Sequence, residues 1–308
     1  MGVVLGVDGG NSKTDVVLAA AEGEPLAYVR GGGSNSHAAG GAARAVEVIA
    51  SLVDGLPFEP PAERGVFFLC GADVPSDIEE LQQEVDARGW TRDATVENDT
   101  WALLHAGTDR PDAIAVVCGG GINCLGRSSA GRIARYPALG WETGDWGGSE
   151  PLGREALYHA NRAADGRGEQ TVLVELIESH FGKPVIEVGA DVHYKRMPQS
   201  RLGELAPAVL AARDDDAVAH ALVQRLAGEI VLLVERALRD LELDDADVVL
   251  GGGMLTRGGG LFELVADVLP FEPVALELPA VAGAVLAALD GDARARFRSA
   301  FATWTPDG

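Results

Sequence analysis

Three times along this chain a short apolar run ends in a cluster of glycines. Val3–Val7 precedes Asp8-Gly9-Gly10, Ala113–Val117 precedes Gly119-Gly120-Gly121, and Asp247–Leu250 precedes Gly251-Gly252-Gly253. Runs of that length and composition read as buried strands. Glycine at their ends lets the backbone turn tightly or approach a ligand that a Cβ would block. One such site is an ordinary turn, but three in one chain favour a fold that presents strand ends to a small molecule. None completes GxGxxG, which counts against a dinucleotide fold. Asp8–Thr14 also lacks the GxxxxGK[ST] of a Walker A loop, and a strand rather than a helix follows it.

Around these clusters the order strand-turn-strand-turn-strand occurs twice. The first pass is Val3–Val7, Thr14–Ala20 and Leu26–Val29; the second is Ala113–Val117, Asn123–Gly126 and Arg132–Arg135. Further strands are expected at Val66–Cys70 and Thr95–Glu97. Helices are expected near 42–53, at Ser76–Arg88, from Asp99 or Thr100 onward, and at Glu150–Ala164, Thr171–His180, Leu202–Arg213, Ala217–Leu241, Leu261–Leu269 and Val281–Leu289. The alternation predicts an α/β chain with mixed sheets covered by helices. The repeated opening predicts a duplicated core with a ligand cleft between two lobes, residues 1–108 and 109–308, the last helix packing back on the first lobe.

Charge and cysteine usage narrow the partners. A formal net charge of -22 argues against nucleic acid or an anionic membrane surface. Met1–Leu5 lacks the basic start and long apolar core of a leader, and no uncharged apolar run approaches membrane-spanning length. Cys70, Cys118 and Cys124 are odd in number and lie in or beside apolar or Gly-rich segments, so the expected setting is the reducing cytoplasm. The six histidines show no metal-ligand spacing, and no protein-ligated structural metal is expected. The expected partners are small molecules, with a homodimer left open.

Asp8, at a strand end beside a glycine turn, is suited to hold hydrated Mg²⁺. Next to it the backbone of Gly9, Gly10 and Asn11 and the side chains of Ser12, Lys13 and Thr14 can converge on a phosphate, although the same letters suit a plain hairpin turn. Asp99 precedes an apolar helical segment through Trp101, Leu103 and Leu104, where an N-cap is the simplest role. Asp145 lies between Gly144 and Trp146 in a composition common in loops, and Trp141 and Trp146 beside it suit either a sugar's apolar face or a core.

Taken together, Asp8–Thr14, Gly119–Asn123 and Gly251–Gly253 resemble the phosphate-one, phosphate-two and adenosine elements of the actin/hexokinase/Hsp70 superfamily. Ser34-Asn35-Ser36-His37, Glu97-Asn98-Asp99, Gly140-Trp141 and Gly144-Asp145-Trp146-Gly147-Gly148 are similar to the N-acetylglucosamine kinase branch of the BadF/BadG/BcrA/BcrD family. That resemblance implies a two-lobed actin/hexokinase-like (ribonuclease H-like) fold. It also implies an ATP-dependent kinase acting on a hydroxyl, C6, of an amino sugar such as N-acetylglucosamine or glucosamine, with Mg²⁺ and ATP. Asp99 is then the base, and Asn35, Asn98, Gly144, Asp145 and Trp146 contact the sugar. Gly9–Thr14, Gly119, Gly120, Gly121, Asn123, Gly251, Gly252 and Gly253 take the nucleotide, and Asp8 takes the metal. The chain departs from relatives at Trp146-Gly147-Gly148-Ser149 and at Gly119-Gly120-Gly121-Ile122-Asn123, which bears on sugar identity and on a hydroxyl contact to phosphate. Two alternatives stay open: an activator ATPase of acyl-CoA dehydratases, which needs cysteines for an iron–sulfur cluster, and a non-catalytic sugar sensor, which is expected to carry a DNA-binding domain.

Overall fold

The computed structural model describes residues 2–305. The strands are β1 (Val3–Gly9), β2 (Lys13–Ala20), β3 (Pro25–Gly32), β4 (Arg64–Leu69), β5 (Ala94–Asn98), β6 (Ala113–Cys118), β7 (Ile122–Arg127), β8 (Ile133–Arg135), β9 (Asp247–Gly251) and β10 (Val274–Ala275). They form two five-stranded sheets, in the orders β3-β2-β1-β4-β5 and β10-β9-β6-β7-β8. The helices of the first part are α1 (Ser36–Ala39), α2 (Ala42–Val53), α3 (Pro75–Arg88) and α4 (Thr100–Gly107). Then follow α5 (Ser149–Ala164), α6 (Leu173–Phe181), α7 (Val185–His193), α8 (Ala206–Ala212), α9 (Ala217–Leu241), α10 (Leu261–Ala266), α11 (Val281–Ala288) and α12 (Gly291–Phe301). The chain packs as two compact units. One holds the residues up to Ala115, Leu125–Ile133 and those from Val274 onward; the other holds Val116–Cys124 and Ala134–Pro273.

In the first unit β1 pairs antiparallel with β2 and parallel with β4, and β4 pairs parallel with β5. Strand alternation sends Leu5, Val7, Val16, Leu18, Phe67 and Leu69 to one face, where they pack with the buried side of α2 and with Leu81 and Val85 of α3. Val4, Val17, Val66 and Phe68 go to the other face and meet α11. Seven of the eight residues of α11 are buried, which accounts for its being apolar all round. It can lie against both β1 and α4 because the facing positions are glycines: a Cβ on Gly6 would strike Val285, and one on Gly283 would strike the carbonyl of Ala102.

In the second unit α9 is the long helix, packed against α5, α8 and α10. By length and composition it could cross a membrane, and half of its most apolar window is buried. Its buried stripe runs through Val218, Leu222, Leu226, Ile230, Val234 and Leu241, while Arg225 and Glu235 lie off that stripe, as in an amphipathic core helix. Where one helix is expected over Leu202–Arg213, a 3₁₀ segment (Gln199–Leu205) gives way to α8, because Pro207 cannot donate to the preceding turn and instead opens a new helix. The helix α7 is not legible from periodicity, since Gly189 interrupts it.

Candidate active site

Parallel pairing brings three strand ends of the first unit into line. Gly9 of β1 pairs with Leu69 of β4, and Leu69 with Asn98 of β5. Asp8, Cys70 and Asn98-Asp99 therefore sit together at the carboxyl edge of the sheet, where ligands of α/β proteins commonly bind. On the other side Asp8 pairs with Asp15 of β2, and Asp15 with Arg30 of β3, so these three share a face. Asp15 is 1% exposed, and its carboxylate accepts from Lys13 Nζ (2.9 Å), Tyr28 OH (2.8 Å), Arg30 Nε (2.5 Å) and Arg30 Nη2 (3.1 Å).

The capping role open to Asp99 falls to its neighbour. Asp99 occupies the cap position of α4 with helical backbone angles and no side-chain capping bond, whereas Asn98 Oδ1 accepts from Thr100 N at 3.0 Å. The Asp99 carboxylate takes its own hydrogen bonds from the backbone N–H groups of Thr100 and Asp99 and from the Cys70 thiol. Asn98 is 2% exposed, and its Nδ2 donates to Asp73 Oδ1 at 2.9 Å.

Charge in this corner is unbalanced. Burial, then the neighbouring Asp99 and Asp15, push Asp8 up to about 8 against the pull of Lys13 and Arg30. Burial and Asp73 push Asp99 up to about 7 against hydrogen bonds from the Thr100 and Asp99 backbone and the Cys70 thiol. Burial, with Asp99, Asp73 and Asp8, raises the Cys70 thiol. Burial would raise Asp15 too, but the hydrogen bonds from Arg30, Lys13 and Tyr28 outweigh it and hold that carboxyl below its usual range. Two carboxyl groups thus hold a proton more tightly than usual beside one that holds it less tightly. A hard divalent cation suits such a donor set, and Asp8 is the residue that could hold it.

The turn after β1 is tightly built. Gly10 N donates to Lys13 O at 2.9 Å, Ser34 N donates to Gly10 O at 3.0 Å, and a Cβ on Gly9 would strike Ser34 and Leu69. Thr14 Oγ1 donates to Ser34 Oγ at 2.8 Å and is fully buried, while Ser12 and Lys13 are exposed. Asn35 Nδ2 donates to Asn11 Oδ1 and to Cys70 Sγ (3.3 Å), and Asn35 Oδ1 accepts from His37 N (2.9 Å), which starts α1. The structure thus gathers Asp8, Asn11, Asn35, Asn98 and Asp99 around Cys70. Asp15, Cys70 and Asp73 are the additions that sequence reasoning missed.

In the second unit the expected nucleotide glycines are joined through backbone. Ser149 N donates to Gly119 O (2.8 Å), Glu150 N donates to Gly120 O (3.1 Å), and the next residue of α5, Pro151, has no N–H. Gly148, at φ 92°, lies so close that a Cβ would strike Gly120 and Gly121. The unusual Gly147-Gly148-Ser149 segment therefore pins the Gly119–Gly121 turn to the start of α5. Gly252, at φ 93°, packs on the carbonyl of Cys118, which also accepts from Met254 N (3.1 Å). Gly119, Gly121 and Gly253, by contrast, would point a Cβ into open space. Asn123 Oδ1 accepts from Cys124 N at 2.7 Å. Gly144 is in the left-handed region at φ 83°, Asp145 N donates to Gly140 O (3.0 Å), and the Asp145 carboxylate accepts from Thr143 Oγ1. The two tryptophans differ: Trp146 is 6% exposed with Arg225 stacked 3.8 Å from its ring centre, and Trp141 is 73% exposed.

The model of the BadF/BadG/BcrA/BcrD ATPase family matches residues 5–288. The chain belongs to this family. Over 279 residues this BadF/BadG/BcrA/BcrD member is 25% identical to the N-acetylmuramic acid/N-acetylglucosamine kinase of Clostridium acetobutylicum, spanning 85% of this chain and 89% of that protein. It is 24% identical over 287 residues to the N-acetyl-D-glucosamine kinase of Dictyostelium discoideum, with 86% and 89% covered. Its fold matches that of a candidate N-acetylglucosamine kinase from Chromobacterium violaceum at a TM-score of 0.74 and 24% identity, covering 93% of this chain and 98% of that one. The ROK family glucokinase of Streptomyces griseus, solved with glucose and AMPPNP, matches at a TM-score of 0.58 and 18% identity, with 93% and 98% covered. The fold is the two-sheet α/β fold of actin-like sugar kinases.

The raised Asp8 has a measurable consequence. Its folded form binds a proton more tightly than the unfolded chain, whose ordinary value is 3.8, so this stabilisation is full below about pH 4 and is lost as pH rises to about 8. Asp8→Asn keeps the shape without the charge. Its melting temperature, in metal-free buffer, should exceed that of the parent by a margin that widens from pH 5 to 8, reaching roughly several degrees, and is flat above. A margin that stays constant over this range would mean that Asp8 titrates as an ordinary carboxyl.

Proposed function

We propose that this chain is an ATP-dependent sugar kinase that transfers the γ-phosphoryl group to a hydroxyl of an amino sugar of the N-acetylglucosamine or N-acetylmuramic acid class. The observation that carries the reading is Asp99: a carboxyl at a strand end beside Asp8 and Cys70, raised to about 7 by burial and Asp73 even though the Thr100 and Asp99 backbone and the Cys70 thiol hydrogen-bond it. A base working near neutral pH is most effective with a proton affinity in that range. The names of the relatives, one from a bacterium and one from an amoeba, support the same substrate class.

In this reading Asp99 accepts the proton of the attacking hydroxyl, and Asn35, held by Asn11 and Cys70, hydrogen-bonds the sugar. Gly144 and Asp145 supply further sugar contacts. Trp141, with its exposed ring, is the better candidate for the sugar's apolar face, since Arg225 covers Trp146. The Asp8–Thr14 turn and Gly119–Asn123 bind phosphates. Lys13, steadied by Asp15, contributes charge there, and Gly251–Gly253 binds adenosine. Mg²⁺ held by Asp8 would neutralise charge on the phosphoryl oxygens. The activator-ATPase alternative loses ground because Cys118 and Cys124 are buried and so ill placed to bridge two chains through a cluster. A cytoplasmic location goes with the proposed substrates, and because the acidic site is built within one chain, the chemistry asks for no second copy.

Two measurements test this. ADP release across N-acetylglucosamine, N-acetylmuramic acid, glucosamine and plain hexoses should be fastest with an N-acetylated sugar, and Asp99→Asn should lower that turnover by roughly 10² to 10⁴ while ATP affinity stays near the parent value. A loss under about tenfold would remove Asp99 from the chemistry. For the nucleotide, Gly253→Val should weaken ATP binding with an unchanged melting temperature, because its side chain enters open space. Gly252→Val should instead lower the melting temperature, because it forces a branched residue into the left-handed region and against Cys118. Equal ATP affinity for Gly253→Val and the parent would take adenosine away from this turn.

A further inference from the structure

We infer that Asp73 is a positioning residue for phosphoryl transfer, holding Asn98 and through it the backbone that carries Asp99. The inference rests on the reading of Asp99 as the base. Asp73 lies in the short segment between β4 and α3, outside every strand and helix and without a ligand-binding motif around it. Three successive hydrogen-bonded links run from α3 through Asp73 and the end of β5 to the start of α4. The Asp77 carboxylate, in the first turn of α3, accepts from the backbone N–H of Asp73 (3.2 Å) and of Val74 (3.0 Å) and so fixes where Asp73 begins. Asp73 Oδ1 accepts from Asn98 Nδ2 at 2.9 Å. Asn98 Oδ1 then accepts from Thr100 N at 3.0 Å, reaching across Asp99.

Asp99 is the single residue between the end of β5 and the first residue of α4, and its own carbonyl accepts from Ala102 N at 3.0 Å. The Asn98 amide, 2% exposed and bonded at both ends, therefore clamps the residue that must aim its carboxylate. This makes Asn98 a link in the frame. Asp73 also contributes charge. Its Oδ2 lies 3.7 Å from His37 Nε2 on α1, which stands equally far from Asp77, and its carboxylate faces Asp99 and Cys70. Asp99 in turn faces Asp8 from β1 and Cys70 after β4. A negative charge at Asp73 strengthens the base, and loss of that charge weakens its hold on a proton.

Two substitutions separate geometry from charge. Asp73→Ala removes the acceptor for Asn98, and at saturating ATP kcat should fall roughly tenfold to a hundredfold with both KM values within about threefold of the parent. Asp73→Asn keeps an acceptor oxygen but loses the charge; its kcat plateau should stay within about threefold of the parent while the acid limb of kcat/KM moves to lower pH. Melting temperature and ATP affinity monitor folding. If Asp73→Ala keeps the parent kcat while Asp99→Asn is inactive, the positioning role is wrong and the base assignment stands. If Asp99→Asn is active, the base assignment itself has failed. Should Asp73→Ala fold poorly, Asn98→Asp decides, since it replaces the donor to Asp73 while keeping an oxygen for Thr100 N, and a parent kcat in that variant overturns the inference.

Discussion

Like charges close together in a partly buried corner repel, and a fold that gathers them must supply either protons or cations. The first unit gathers Asp8, Asp15, Asp73 and Asp99 about the ends of adjacent strands and answers the problem unevenly. Asp15 receives Lys13, Arg30 and Tyr28 and stays ionised. Asp8 and Asp99 receive no cationic hydrogen-bond donors, Asp99 only the backbone and the Cys70 thiol, and both are pushed toward their protonated forms. A structural salt-bridge network would leave every carboxylate matched. One left short of positive charge at a strand edge suits a site where a divalent cation sits between the carboxylates and a nucleotide's phosphates, because the cation brings the missing charge. The stability forgone without ligand is the cost of holding these groups in place.

The surrounding structure serves this arrangement. Parallel pairing of β1, β4 and β5 sets the three ends level, and α11, admitted by Gly6 and Gly283, fixes the sheet from one face while α2 and α3 fix it from the other. In the second unit the glycines divide into two kinds. Gly148 and Gly252 have positive φ and let backbones touch, whereas Gly119, Gly121 and Gly253 leave room beside the chain. The first kind builds the loops; the second is where a ligand can approach.

The strand ends and glycine turns were legible because each depends on local composition: an apolar run, then residues that permit a turn. Asp8 could be singled out on those grounds. Asp99 could not, because the letters around it equally describe an N-cap, and only the family resemblance promoted it. The capping bond in fact comes from Asn98, one residue earlier, a distinction that backbone angles decide and composition does not. Asp15 was hidden inside a run read as an apolar strand; its partners Tyr28 and Arg30 reach it only through the β2–β3 register. Asp73 was invisible for a similar reason, since the link from β4 through Asn98 to α4 spans segments far apart in sequence. Trp146 and Trp141 looked interchangeable beside Asp145, and packing alone separates the covered ring from the free one.

The central claim, that this corner is built short of positive charge, is most directly tested by following the carboxyl carbons of Asp8 and Asp99 by NMR as pH is raised. In the metal-free protein their midpoints should lie near 8 and 7. Adding Mg²⁺ with a non-hydrolysable ATP analogue should move the Asp8 midpoint down, because the cation supplies the missing charge. Midpoints for both groups near the ordinary 3.8 in the free protein, unchanged by Mg²⁺ and nucleotide, would contradict the account.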